Sequence, residues 1–168
     1  DQLGALPEIL AELEASGGHK GAFERRPDAQ ELMDAYHATP ASNSFSAFLS
    51  VSRGCDRYCS YCIVPYVRGH EKSRSQKAIV EEAKELVDSG VKEIMLLGQN
   101  VAAYGLDSVA PPIAPDVSPF AELLEKLSEI DGLKRIRFIS PHPAFFTTRL
   151  IDALAALPKV CNCIHLPL

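Results

Sequence analysis

The sequence lacks several features that would each point to a class of protein. It has no run of about 18 apolar residues, the length that a membrane-spanning helix needs, and no signal peptide opens it. Its net charge is −5, so no overall basic charge indicates a nucleic-acid-binding protein. We therefore expect neither a membrane protein nor a secreted one.

Cysteine is scarce and unevenly placed. The chain has five cysteines, and none precedes Cys55. Three of them, Cys55, Cys59 and Cys62, lie within eight residues, and the other two are Cys161 and Cys163. A disulfide scaffold would spread its cysteines along a secreted chain. Clustered thiols fit a reducing cytoplasm and indicate a metal site or redox chemistry, so we expect a cytoplasmic protein.

The first 45 residues differ in pattern from the rest. Apolar residues from Leu6 to Leu13 recur at helical spacing, which predicts an amphipathic helix over residues 5–15. Residues 22–45 are polar, contain two prolines and show no lasting period, as is typical of a linker. The chain starts without Met and stops after an apolar run, so we interpret it as part of a longer protein.

After residue 45, short apolar runs alternate with amphipathic segments. This order predicts an α/β fold with parallel strands and crossover helices. The predicted strands cover residues 45–51, 91–98, 133–140 and 160–168, and the predicted helices cover 76–89, 119–131 and 148–157.

Polar, Gly or Pro residues follow the first three predicted strands, in the stretches "SRGC", "GQN" and "SPHP". In parallel α/β proteins, the carboxyl ends of the strands carry the functional site. The three clustered cysteines therefore lie where such a site is expected, in the loop after the first strand.

The spacing Cys55-x3-Cys59-x2-Cys62 favours an iron–sulfur cluster. Cluster irons are bound by thiolates, commonly four, so three thiolates leave one iron open to a substrate or cofactor. Two alternatives remain: zinc with a fourth ligand such as His70, and a small electron carrier, which would need a fourth cysteine nearby. The strand position of Cys161 and Cys163 predicts packing in the core.

The loop resembles the radical S-adenosylmethionine (SAM) enzymes, which share this spacing and an aromatic residue before the third cysteine, here Tyr61. The stretch "RGCDRYCSYCIVPYVRGHEKSR" is similar to the signature of the methylthiotransferases, and "LLGQN", "SPHP" and "HLPL" are further matches. The resemblance implies that residues 46–168 form the first part of a radical-SAM (β/α) barrel. Residues 1–45 would then be the tail of an N-terminal domain plus a linker.

The resemblance also implies cofactors. The three clustered cysteines would hold a 4Fe–4S cluster whose open iron chelates SAM, with an electron from a flavodoxin- or ferredoxin-type donor. A second 4Fe–4S cluster would be bound by three cysteines of the N-terminal domain, which do not occur in this sequence. The residues expected to contact SAM are Tyr61, Gly98, Gln99, Asn100, Ser140 and His142.

The resemblance implies a tRNA substrate. "GQN" is similar to the branch that acts at C2 of N6-dimethylallyladenosine beside the anticodon; the alternatives are the threonylcarbamoyladenosine branch and the branch that modifies a ribosomal protein. A local excess of positive charge on an acidic chain predicts RNA contact, although such a loop can also be merely solvated. The residues concerned are Arg53, Arg57, Arg68, Lys72 and Arg74. We expect this chain alone not to complete sulfur insertion.

Overall fold

The computed structural model describes residues 44–107 and 109–166, together with five residues near the amino terminus. Those five, Pro7, Leu10, Ala11, Glu14 and Ala15, are helical, as predicted for residues 5–15. The predicted linker lies almost wholly outside the described residues. The chain divides into two compact units, Asp1–Tyr36 and His37–Leu168, and the site lies in the second.

The second unit contains a parallel sheet of three strands in the order β1-β4-β5, flanked by helices. This arrangement confirms the predicted α/β architecture. In chain order, its elements are β1 (Ser46–Ser50), β2 (Ser52–Arg53), α1 (Val64–Arg68), β3 (Lys72–Ser73), α2 (Gln76–Asp88), β4 (Glu93–Leu97), α3 (Pro119–Ser128), β5 (Arg135–Phe138) and α4 (Thr148–Ala156), with 3-10 turns at Val101–Ala103 and Pro143–Phe145.

The three long helices begin at capping residues that the sequence marks. The hydroxyl oxygens of Ser75, Ser118 and Thr147 each accept a hydrogen bond from the amide N–H three residues later, at 3.1–3.3 Å. The helices α2 and α3 bury their apolar stripes against the sheet, as where the ring of Phe120 in α3 meets that of Phe138 in β5 edge-on, 5.4 Å between centroids, and α4 packs on α3. None of the described helices is long and apolar enough to cross a membrane.

The predicted fourth strand, residues 160–168, is wrong over the part that the structure describes. Residues 160–166 form two isolated parallel bridges, Val160 with Ile136 and His165 with Ile139, but no continuous strand. The reason is local: the N–H of Val160 donates to the carbonyl of Leu157 (3.1 Å), and that of Cys163 donates to the carbonyl of Cys161 (2.7 Å). These turns use donors that a strand ladder would need.

A two-residue antiparallel ribbon, β2 with β3, was not predicted. Ser52 pairs with Ser73, and Arg53 pairs with Lys72. The ribbon closes the base of the segment 54–71, which contains the clustered cysteines and α1. We call this segment the cysteine excursion.

Arg74, directly after β3, is buried in an ion pair. Its guanidinium lies 2.7 Å from the carboxylate of Glu82 in α2, with both side chains at most 2% exposed. It also donates to the carbonyl of Ser50 at the end of β1 (2.8 Å), and its own carbonyl accepts from the hydroxyl of Tyr104 (2.9 Å). Arg74 therefore joins β1, α2 and the turn after β4 at the base of the cysteine excursion.

We predict that Arg74→Ala lowers the free energy of unfolding by about 3–5 kcal/mol, because it leaves the Glu82 carboxylate buried without its cation. Denaturant unfolding measures the change. Lys77→Ala is the matched control, since Lys77 forms only an exposed ion pair with Glu81 at 3.9 Å and should change stability by less than about 0.5 kcal/mol. Equal effects of the two substitutions would contradict the structural role of the buried pair.

Candidate functional site

A close approach of two backbone segments fixes the start of the cysteine excursion. The N–H of Cys55 donates to the carbonyl of Gly69 at 3.1 Å. Gly54 has a φ of +75°, and a Cβ there would lie 2.1 Å from the carbonyl oxygen of His70. Only glycine fits this position, since any other residue would combine an unfavourable φ with a backbone clash. Cys55 is thereby held just beyond the carboxyl end of β1.

The three clustered cysteines differ in exposure. Cys55 is buried, whereas Cys59 and Cys62 are partly exposed. The chain turns between them through Tyr58, which has a φ of +46°, and the N–H of Cys62 donates to the carbonyl of Cys59 at 2.9 Å. Burial raises the pKa of the Cys55 thiol, and a hydrogen bond from the backbone of Arg57 opposes the rise.

The three clustered cysteine thiols fit an iron–sulfur cluster better than a single metal ion. Among the described residues, no three His, Cys, Asp or Glu side chains are arranged to hold one metal ion. Three thiols on one short loop match a 4Fe–4S cluster, whose cysteine ligands bind different irons. The zinc alternative gains no support from His70, because His70 belongs to no such group among the described residues; its side chain is exposed and its Nδ1 is hydrogen-bonded to Asp56 at 2.7 Å.

The structure brings together predicted cofactor residues from two other strand ends. Asn100, after β4, is 1% exposed, and its Oδ1 accepts a hydrogen bond from the N–H of His142, after β5, at 2.9 Å. Ser140 has a φ of +58°, so the chain turns sharply before His142. Gln99 is exposed beside Asn100. This hydrogen bond therefore joins the two loops that follow β4 and β5, and we call the joined loops the wall.

Two buried polar groups at these strand ends suit a polar ligand. The Nδ2 of Asn100 and the Oγ of Ser52 are buried and have no hydrogen-bond partner among the described residues. Gly98 lies beside Ser52, since a Cβ on Gly98 would come within 2.5 Å of that Oγ. Buried groups of this kind are destabilising unless a ligand or water satisfies them. The residues present thus fit the amino-acid part of a cofactor such as SAM.

Tyr61 is 77% exposed, next to Cys62. Its ring is accessible for stacking on a flat group, and its assignment to the adenine of SAM stays a prediction.

Glu71 is a buried residue of the excursion that the sequence analysis did not select. It is 1% exposed, and one carboxylate oxygen has no partner among the described residues. Burial raises its pKa to about 7; Asp107 and Asp56 add to the rise and Arg57 opposes it. The only sequence signal for Glu71 was that it is an acidic residue inside a basic stretch.

The five basic residues predicted to contact RNA do not form one surface. Arg68 and Lys72 are exposed, and Arg53 is partly exposed. Arg74 is buried in its ion pair with Glu82, so its assignment to an RNA surface is corrected. Arg57 is partly exposed, and its guanidinium packs over the ring of Phe145, 5.0 Å from the centroid; its contact with RNA stays a prediction.

Cys161 and Cys163 were expected to pack in the core, and this expectation is wrong. Cys161 is partly exposed and Cys163 is exposed. The turn that replaces the predicted strand carries both thiols out of the sheet.

The sequence profile of the Radical SAM superfamily matches residues 49–168. Curated relatives include tRNA-2-methylthio-N(6)-dimethylallyladenosine synthases. That of Hydrogenobaculum sp. (strain Y04AAS1) is 41% identical over 162 residues, 96% of this chain and 35% of the relative. That of Lawsonia intracellularis (strain PHE/MN1-00) is 52% identical over 122 residues, 73% of this chain and 26% of the relative. The chain thus spans about a third of the length of the curated relatives that it matches.

A solved structure shares the fold. The radical SAM methyltransferase TsrM from Kitasatospora setae, with cobalamin and a [4Fe-4S] cluster bound, superposes with a TM-score of 0.52 at 19% identity, covering 71% of this chain and 21% of TsrM. The chain belongs to the Radical SAM superfamily, whose defining cofactors are a 4Fe–4S cluster and SAM. The resemblance to the methylthiotransferases and the partial-barrel fold are both confirmed.

The raised pKa of Glu71 predicts an unusual pH dependence of the free energy of unfolding in the metal-free chain. Its folded pKa of about 7 exceeds the ordinary value of 4.5, so the protonated form is favoured by folding, and stability decreases as pH rises from 4.5 to 7. Relative to Glu71→Gln, which mimics the protonated form, the wild type should lose about 2 kcal/mol between pH 5 and 8. Denaturant unfolding at several pH values tests this. Glu81→Gln, an exposed substitution on α2 that keeps Glu71, should follow the wild type over this range. If Glu71→Gln also follows the wild type, Glu71 is ionised at ordinary pH.

Proposed function

We propose that this chain supplies the radical-generating part of a tRNA methylthiotransferase, which inserts sulfur at C2 of N6-dimethylallyladenosine and methylates it. One observation supports this most strongly: a three-thiol loop beyond the end of β1 lies at the same strand ends as two buried polar groups without partners among the described residues, the Oγ of Ser52 after β1 and the Nδ2 of Asn100 after β4. The relatives named for this reaction are 41–52% identical over most of the chain. Because the chain covers only part of them, the activity of the whole protein remains a proposal.

The residues of the chain have separable tasks in this function. Cys55, Cys59 and Cys62 would hold the cluster, which when bound would supply the electron for reductive cleavage of SAM. Asn100 and Ser52 offer hydrogen-bonding groups to the polar end of SAM. Tyr61 covers the adenine. The link from Asn100 to the His142 amide keeps the wall in one arrangement while SAM is held.

The RNA surface of the proposal consists of exposed residues of the excursion and its base. Arg68 and Lys72 supply charge to neutralise phosphates. Tyr58 and Tyr66 are 52% and 67% exposed and meet edge-on, 5.8 Å between centroids. Exposed rings beside basic side chains are typical of surfaces that bind single-stranded RNA with splayed bases. An anticodon loop fits such a surface.

Further partners belong to the proposal as well. The electron comes from a flavodoxin- or ferredoxin-type donor in the cytoplasm, and a second 4Fe–4S cluster is held by residues outside this sequence. The alternative substrates are tRNA bearing threonylcarbamoyladenosine and a ribosomal protein. Binding of tRNA to the exposed basic pair separates the RNA substrates from the protein substrate.

The cluster assignment predicts that the three loop cysteines act as one unit. After anaerobic reconstitution of the full-length protein, Ala at Cys55, Cys59 or Cys62 should lower the visible absorption and iron content to those of the second cluster alone and should abolish SAM cleavage, because a missing thiolate leaves a second iron without its protein ligand. The matched controls are Cys161→Ser and Cys163→Ser, which should leave absorption and cleavage intact. Cleavage by any of the three loop variants would refute the assignment.

The RNA assignment predicts an effect of charge reversal at the exposed pair. Arg68→Glu with Lys72→Glu in the full-length protein should weaken tRNA binding and flatten its dependence on salt, by about one unit of slope per lost phosphate contact. SAM cleavage without tRNA should stay near normal. Lys77→Glu with Lys84→Glu, on the exposed face of α2, changes the net charge equally and should leave the slope unchanged. Identical slopes for both double variants would return weight to a protein substrate.

A further inference from the structure

Arg57 connects the cysteine excursion to distant parts of the fold. Its guanidinium lies over the ring of Phe145, in the turn after β5, 5.0 Å from the centroid. Its NH2 group donates to the carbonyl of Val109 at 3.3 Å. Phe145 is 1% exposed, so the ring is a fixed platform. The side chain of Arg57 therefore spans from the middle of the cysteine loop to the wall that carries His142.

Three other contacts of the loop are local. Asp56 accepts hydrogen bonds from the amide of Glu71 (3.2 Å) and pairs with the Nδ1 of His70 (2.7 Å). The N–H of Cys55 donates to the carbonyl of Gly69 (3.1 Å). These bonds hold one end of the excursion to the other. They do not fix the excursion relative to the strand ends, whereas the contacts of Arg57 do.

Arg57 also keeps a positive charge close to the cysteines. A guanidinium stays protonated at any working pH. Its Nε is buried and has no hydrogen-bond partner among the described residues, so part of its donor capacity is unused. It lies between Cys55 and Cys59 in the chain, and its backbone amide is hydrogen-bonded to the Cys55 sulfur. A cluster held by three thiolates is anionic and becomes more so on reduction.

We propose that Arg57 is a positioning residue that fixes the cysteine loop against the turn after β5, and that its guanidinium raises the reduction potential of the cluster. This inference rests on the proposed cluster site. The positive charge favours the reduced cluster, because reduction adds negative charge beside Cys55, the buried member of the three cysteines. The flat guanidinium suits stacking on Phe145, which the compact ammonium group of lysine does not reproduce.

Three variants of the full-length protein separate position from charge. Arg57→Gln removes the charge and the stacking group, Arg57→Lys keeps the charge, and Lys77→Gln removes an exposed charge on α2. The first measurement is the midpoint potential of this cluster, by redox titration with EPR detection and without SAM or tRNA, in a background whose second-cluster cysteines are replaced so that only one cluster is present. The second is hydrogen exchange of the excursion amides in the metal-free protein, with the amides of α2 and β4 as a check on folding.

At the wild-type midpoint potential, the ratio of reduced to oxidised cluster should fall roughly tenfold in Arg57→Gln. It should stay within about twofold in Arg57→Lys, which retains the charge, and in Lys77→Gln. Exchange of the excursion amides should accelerate in both Arg57 variants and not in Lys77→Gln. An Arg57→Gln protein that fails to load a cluster, with α2 and β4 protected as in the wild type, supports the positioning role.

An unchanged potential in Arg57→Gln overturns the electrostatic half of the proposal, and unchanged exchange overturns the positioning half. Loss of protection throughout α2 and β4 in Arg57→Gln would show a general structural role and overturn both halves. A wild-type protein that forms no cluster at all would instead refute the proposed function. The two failures are therefore distinguishable.

Discussion

The buried ion pair between Arg74 and Glu82 holds the junction on which the rest of the site depends. Besides its carboxylate partner, Arg74 binds the carbonyl of Ser50 through its side chain and that of Val51 through its amide, at 2.8 and 2.9 Å. The end of β1, the ribbon that closes the cysteine excursion, and α2 thus meet at one residue. A buried pair adds little net stability compared with an apolar contact, but it tolerates few other arrangements of its partners. Its value here is geometric, since it fixes where the cysteine loop leaves the sheet.

Beyond that junction, polar side chains rather than apolar packing hold the excursion. Asp107 accepts from both the amide and the hydroxyl of Ser73, at 3.0 and 2.6 Å, and the same hydroxyl accepts from the amide of Gly105 at 2.8 Å. The turn after β4 is thereby tied to β3. Polar attachment suits a segment that must receive a charged inorganic group, since an apolar lining would oppose its entry.

The sequence predicts the long helices and most sheet strands because hydrophobic patterns over many residues specify them. The amphipathic segments locate the three long helices, α2, α3 and α4, to within a few residues. The β2–β3 ribbon has two residues per strand, too few for any period to register. The error at residues 160–168 has a different cause: an apolar run indicates burial but cannot show that its own turns consume the backbone donors.

The sequence indicates some residues of the candidate site and not others. The three cysteines follow from spacing alone, but the roles of the arginines do not, because a charge in a sequence does not reveal whether it is buried. A signal for Arg74 existed in its partner: Glu82 lies three residues after Ile79 and four before Leu86, on the buried face of α2. A carboxylate on an apolar face requires a buried cation. Nothing comparable marked Arg57, whose platform Phe145 lies far along the chain.

The polar groups left without partners explain how the fold and its cofactors depend on each other. Ser52 and Asn100 stand at the ends of adjacent strands, where the sheet itself cannot supply a partner. Leaving such groups buried and unsatisfied destabilises the folded chain by about 1–3 kcal/mol each, so a ligand that satisfies them stabilises the fold by the same interactions that bind it. The close approaches at Gly54, to the backbone of His70, and at Gly98, to the side chain of Ser52, set the shape of these strand ends before any ligand binds.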